Sequence, residues 1–154
     1  MKEMYGIEER KKCLLDQTEL FVIDMDGTFY CEEKMIDGAL DFLKAVVKRG
    51  KQFLFFTNNT SRAPEEYIEK LHRMGCDISR SQIMTAGDVT IRYLKTYYGD
   101  QRVYLMGTPQ LERQFADAGI RLSEDDAEIV MTAFGMTLTY EKLDRGCRLI
   151  REGA

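Results

Sequence analysis

The sequence predicts an α/β fold with a mostly parallel sheet, and three observations carry the prediction. Two apolar runs rich in β-branched and aromatic residues, "LFVID" (20–24) and "QFLFFTNN" (52–59), each stop abruptly in polar side chains. Each is followed by a segment with the apolar spacing of an amphipathic helix. The same alternation of strand and helix returns after residue 100. Strands that alternate with helices of this length form parallel β-α-β units, and continuous apolar runs are expected for strands covered on both faces.

The elements follow in order. Residues 4–18 read as a short charged leader helix, and "LFVID" as a fully buried strand. "DGALDFLKAVVKRG" is a helix with Asp37 as its cap, Leu40, Leu43, Val46 and Val47 on one face, and Gly50 as its stop. "QFLFFTNN" is a second buried strand. "APEEYIEKLHRMG" is a helix with Pro64 near its first position and Gly75 past its end. "TAGDVTIRYLKTYYG" is a third helix. Then come a strand "RVYLMG", a helix capped by Thr108 with Pro109 at its first position, a strand "AEIVMTAF", and a helix capped by Thr139. The run "YYGDQ" is the most linker-like stretch, which places a boundary near residue 99 and divides the chain into 1–98 and 99–154.

Composition excludes several classes. The 154 residues allow one domain, or one domain and part of another. Net charge is −4 with no basic run, so bulk electrostatic binding to nucleic acid or to an anionic membrane is not expected. No apolar stretch approaches the ~20 residues of a membrane span. The first seventeen residues are too charged for a secretory signal. Cys13, Cys31, Cys76 and Cys147 are scattered, without a Cys-x-x-Cys pair, and read as reduced thiols of a cytoplasmic protein. His72 is the only histidine and reads as a surface or packing residue, which argues against His-dependent nucleophilic chemistry.

The chemistry gathers at the two strand ends. In a parallel sheet, ligands bind beyond the carboxyl ends of the strands. Asp24, Asp26 and Gly27 follow the first strand, and Thr57, Asn58 and Asn59 follow the second. Asp24 can present a carboxylate to an electrophile, and Asp26, two residues on, leans to the same side. Gly27 permits a tight turn and can bring N–H groups to an anion. Thr57, Asn58 and Asn59 offer a hydroxyl and amides to phosphate oxygens. Two close carboxylates repel, and Mg²⁺, which favours oxygen ligands, relieves that repulsion. If the strands are neighbours, these groups share one pocket suited to covalent phosphoryl transfer.

"FVIDMDGTFY" and "FFTNNTS" resemble the first and second motifs of the haloacid dehalogenase (HAD) superfamily. "TNNTS", "PEEYIEKLHRMG" and "TLTYEKLDRGCRLIREGA" are similar to the NagD or p-nitrophenyl phosphatase branch. The resemblance implies a Rossmann-like core over 1–98 followed by part of an α/β cap over 99–154. It implies a phosphatase acting on a small phosphate ester, with Asp24 as the nucleophile that becomes an aspartyl-phosphate. Asp26 would protonate the leaving group and then activate water. Mg²⁺ would be held by the Asp24 carboxylate and the Asp26 backbone carbonyl, and Thr57, Asn58 and Asn59 would bind the phosphoryl group.

The family pattern also requires a lysine and a later acidic motif. Asp88 in "TAGDVT" is read as a helix-start acid. Asp125 and Asp126 are read as a turn, Lys95 as solvated, and Lys51 and Lys142 as lying away from any core strand end. Gly135 stands where the branch has an acid. The chain therefore resembles the N-terminal half of such an enzyme, weak or inactive by itself. The alternative is a non-catalytic half-fold that pairs with another chain or with itself.

Overall fold

The computed structural model describes residues 2–154, with side chains from Gly6 onward. By its internal contacts the chain forms two compact units, Met1–Phe55 and Phe56–Ala154. This division falls inside a strand and is distinct from the boundary expected near residue 99.

The first unit begins with helix α1 (Lys2–Gln17) and strand β1 (Leu20–Ile23). A small antiparallel hairpin follows, β2 (Tyr30–Cys31) and β3 (Lys34–Met35), then helix α2 (Ala39–Lys48) and the start of β4 (Gln52–Thr57). β1 and β4 run parallel in register, with Phe21 opposite Phe53 and Ile23 opposite Phe55. Lys51 fixes the end of α1. Its Nζ donates to the Leu15, Asp16 and Thr18 carbonyls at 2.6, 2.7 and 2.8 Å. A cation at a helix C-terminus meets carbonyls that lack partners within the helix. The core of this unit holds Met25, Phe29, Tyr30, Leu43, Val46, Phe53 and Phe55. Phe55 meets Phe29 edge-on at 4.7 Å and Phe53 at 5.6 Å.

Four expectations are corrected here. β1 is not buried on both faces: Leu20 is 46% and Val22 61% exposed, and burial alternates along it. β1 pairs with β4, and among the described residues no other strand pairs with it. β4 also alternates, with Phe53, Phe55 and Thr57 buried and Phe56 exposed. Asp37 does not cap α2. Gly38 takes the N-cap position at φ +83°, in the left-handed region that suits glycine, and no side chain caps the helix. Val47 lies off the buried face and is exposed, while Leu43 and Val46 point inward.

The second unit runs from the end of β4 through α3 (Pro64–Arg73), a 3₁₀ turn (Arg80–Gln82), β5 (Ile83–Thr85) and α4 (Ala86–Tyr97). It continues with β6 (Val103–Met106), α5 (Pro109–Asp117), β7 (Ile129–Thr132) and α6 (Tyr140–Glu152). β6 and β7 pair in parallel, Val103 opposite Ile129 through Met106 opposite Thr132. β6 is buried at all four positions, as its continuous apolar run suggested. Pro64 and Pro109 open their helices. Thr108 and Thr139 accept from the Leu111 and Lys142 N–H groups, so both expected caps are present. One cluster of buried apolar residues joins Leu94, Val103, Leu105, Leu111, Phe115 and Ile120. The short strands β2, β3 and β5 were not foreseen. Among the described residues no helix is long and apolar enough to cross a membrane.

All four cysteines are free thiols; Cys76 is buried and the others are exposed. Burial, helped by the charge of Asp77, pushes the Cys76 thiol up to about 11. Below that value it stays protonated, and only the thiolate is nucleophilic. Iodoacetamide near pH 8 is therefore expected to label Cys13, Cys31 and Cys147 and to spare Cys76 until the chain is denatured, as peptide mass analysis would show. Equal labelling of Cys76 in the folded chain would contradict its burial.

Candidate active site

The chain leaves β1 in a tight turn organised by one carbonyl. The Met25 oxygen accepts from the N–H groups of Thr28, Phe29 and Tyr30 at 3.3, 2.9 and 3.2 Å. Met25 is fully buried, while its neighbours Asp24 and Asp26 are both exposed. The alternation of an extended chain thus anchors the middle residue and turns out the two carboxylates. Thr28 Oγ1 donates to Asp24 Oδ2 at 3.1 Å, which holds one oxygen of that carboxylate. Thr28 was not singled out from the sequence, although its place in Asp-Gly-Thr was the available signal. Gly27 has φ +82°, the conformation the turn needs. Its own N–H donates to the Tyr30 carbonyl at 2.8 Å.

The second motif forms a turn of its own in the second unit. Thr57 is 1% exposed, and its Oγ1 accepts from the Asn59 N–H at 3.1 Å. That bond occupies the oxygen as acceptor and leaves the hydroxyl proton to be donated. Asn59 Oδ1 accepts from Ser61 N and Ser61 Oγ at 2.9 and 2.7 Å, so the amide nitrogen is turned the other way. The Tyr67 hydroxyl donates to the Asn59 carbonyl at 3.2 Å, pinning the turn to α3. Asn58 is exposed.

The residues considered as the missing lysine and distal acid are accounted for elsewhere. Asp88 lies in the first turn of α4 and forms a capping box with Thr85, its Oδ2 accepting from Thr85 N at 2.9 Å. Its Oδ1 accepts from Arg80 at 2.6 Å and from Gln114 at 2.9 Å. Both oxygens are committed. Lys95 is exposed. Lys142 donates to the Gly107 carbonyl and to Glu112 at 2.9 and 3.2 Å. Asp125 pairs with Arg145, and Asp126 with Arg102 and Ser123, in the bend before β7. His72 is exposed and pairs with Asp77 at 3.0 Å. At Gly135 a Cβ would stand 2.8 Å from Thr108 Cγ2, so no larger side chain fits there unless Thr108 moves. Among the described residues no group of three or more His, Cys, Asp or Glu could hold a metal ion.

The sequence matches the model of the haloacid dehalogenase-like hydrolases over residues 21–121. The chain belongs to this family. Within it, the chain is 31% identical to the 5'-nucleotidase YutF of Bacillus subtilis over 134 residues, 87% of this chain and 52% of that protein. It is 32% identical to an acid sugar phosphatase of Staphylococcus haemolyticus over 136 residues, 87% of this chain and 51% of that one. A crystal structure of 4-nitrophenylphosphatase from Thermotoga maritima superposes with a TM-score of 0.87 at 40% identity, covering 91% of this chain and 54% of that one. This haloacid dehalogenase-like chain therefore spans about half the length of the relatives it matches, which are phosphatases and nucleotidases.

Asp88→Ala is expected to behave as the loss of a helix cap in this haloacid dehalogenase-like chain. Stability should fall by about 1–2 kcal/mol in urea denaturation. Titration calorimetry with MgCl₂ should not distinguish parent from variant, because both Asp88 oxygens are already committed. Tight binding lost in Asp88→Ala would instead make Asp88 a metal ligand.

Proposed function

We propose that this chain carries the phosphoryl-transfer residues of a phosphomonoester hydrolase acting on a small organic phosphate. The observation that supports it most is the register of β1 and β4. Ile23 lies opposite Phe55, so Asp24 follows directly on one strand and Thr57 closes the other two residues later. In this reading residues 1–98 serve as part of the catalytic core and 99–154 as part of a cap.

Asp24 is the nucleophile: one carboxylate oxygen is held by Thr28, and the other attacks the phosphorus in line with the departing oxygen. The P–O bond to the leaving group breaks, and the proton that group needs comes from Asp26. Asp26 then takes a proton from the water that cleaves the aspartyl-phosphate. The Thr57 hydroxyl and the Asn58 and Asn59 amides donate to the phosphoryl oxygens. Gly27 contributes through the turn that presents both aspartates. The Asp24 carboxylate and Asp26 carbonyl are hard oxygen donors of the kind Mg²⁺ takes. When bound there, the cation would offset the negative charge gathered between carboxylate and phosphate. Two protein donors hold such an ion weakly, and hydrolysis by this chain alone is accordingly weak.

Single turnover is the suitable test. With a small aryl phosphate and MgCl₂, acid quench and peptide mass analysis should find one phosphoryl group on the peptide holding Asp24, labile to hydroxylamine. A phosphoryl group elsewhere, or the same adduct in Asp24→Asn, would sink the mechanism.

The exposed Leu20 and Val22 on β1 favour a second reading, in which this edge pairs with a complementing chain or a second copy. Light scattering showing a monomer over a wide concentration range would argue against self-pairing.

A further inference from the structure

Between α1 and α2, within the first unit, lies a cleft of about 370 Å³, inside the size range of small-ligand sites. None of the residues proposed for phosphoryl transfer lines it. Its origin can be read in α1. A helix that packs on an apolar surface presents apolar residues at i, i+3, i+4 and i+7. On the face of α1 that lines the cleft, those positions are Glu8, Lys11, Lys12 and Leu15. Only the last turn offers an apolar side chain, and that turn is also the one Lys51 holds through the Leu15 and Asp16 carbonyls. Before that clamp, charged side chains border a space that apolar packing would otherwise fill.

The floor of the cleft is apolar. Phe21 of β1 meets Phe42 of α2 edge-on at 5.4 Å, and Ala45 and Val46 continue the surface along α2. The rim is charged, and its balance is positive. Lys11, Lys12, Arg49 and Lys51 stand against Glu8 and Asp16, a net charge of +2 in a chain whose net charge is −4.

The four cations are not equivalent. Lys51 is committed to three carbonyls, and Lys11 to Glu8 at 2.9 Å. Lys12 and Arg49 have no ion pair or side-chain hydrogen bond among the described residues. Two uncommitted cations thus border an aromatic floor.

We propose that this cleft binds an amphipathic anion, with an apolar body and one carboxylate, of the medium-chain fatty-acid class. The body lies on Phe21, Phe42 and Ala45, and the carboxylate pairs with Lys12 and Arg49. The site is independent of the phosphatase reading, since it shares no residue with it.

The 154-residue chain is titrated with octanoate, octyltrimethylammonium and acetate, followed by amide NMR shifts. Octanoate should bind about tenfold more tightly than the cationic amphiphile, the scale of exposed ion pairs gained on one side and repulsion met on the other. Acetate, which has the head without the body, should shift nothing. Lys12→Gln/Arg49→Gln, at two exposed positions, takes the net charge of the lining to zero and should abolish the preference. Ala45→Trp places a ring in the cleft and should abolish octanoate binding. No binding of octanoate by the parent would overturn the proposal, and equal binding of the two amphiphiles would overturn the selection for anions. Octanoate binding that survives Ala45→Trp, or a preference that survives the double variant, would overturn the assignment to this cleft. Should Ala45→Trp fail to fold, the double variant decides by itself.

Discussion

Asp24→Asn should reduce any hydrolysis of p-nitrophenyl phosphate by this chain to background, a loss of roughly 10⁴-fold or more if the parent rate allows it to be measured. The substitution keeps the shape of the side chain and the acceptor that meets Thr28. It removes the anionic oxygen that must attack. Because Asp24 is exposed, its replacement should change stability by no more than about 0.5 kcal/mol, so lost turnover cannot be attributed to unfolding. Asp26→Asn gives the informative contrast. p-Nitrophenolate leaves without needing a proton, so attack by Asp24 continues, while breakdown of the aspartyl-phosphate, which needs a base, slows. The variant should therefore accumulate the adduct that Asp24→Asn cannot form. Stopped-flow release of p-nitrophenolate with parallel acid quench would read both. Equal rates for parent and Asp24→Asn would remove Asp24 from the chemistry.

Phe55→Ala should cost about 3–5 kcal/mol, the range for deleting a buried phenyl ring. Phe55 is fully buried and meets both Phe29 and Phe53 edge-on. Small domains are stable by only about 5–15 kcal/mol in total, so the loss takes a large share of the margin. Phe55 also pairs with Ile23, so loosening it disturbs the strand end that carries Asp24. The chain has no tryptophan, so urea denaturation would be followed by circular dichroism or tyrosine fluorescence. An unchanged midpoint would show that the three-ring cluster contributes little.

What the sequence made legible followed from local signals with a single meaning. Pro64 and Pro109 could only open helices, and Thr108 and Thr139 were capping residues with free N–H groups just ahead of them. The aspartates after β1 were legible because an apolar strand that ends in paired carboxylates has few structural reasons to do so. The errors arose where a signal depended on distant neighbours. A continuous apolar run says that a strand can be buried on both faces, and Leu20 and Val22 show that it need not be. Asp37 had the chemistry of a cap, but Gly38 beside it could adopt the left-handed backbone and took the position. The three-residue strand β5 is too short for periodicity to reveal it. Gly27 was legible as a turn residue, but the pairing of its N–H with the Tyr30 carbonyl depends on the hairpin that follows and has no local signal.

The bond from Thr60 to the Phe134 carbonyl spans 74 residues of chain and so bears on the order of assembly. During synthesis at about 5–20 residues per second, Phe134 emerges roughly 4–15 s after Thr60. Over that interval the 57–61 turn has only its short-range bonds, among them Asn59 to Thr57 and Ser61 to Asn59. Long-range contacts of this kind form late because the intervening loop must first be closed. The turn is therefore shaped early by its own sequence and locked last by a segment just past β7 that does not yet exist when it forms. A ribosome-bound chain stopped before residue 134 should show amide exchange at Ser61 that slows once Phe134 has emerged.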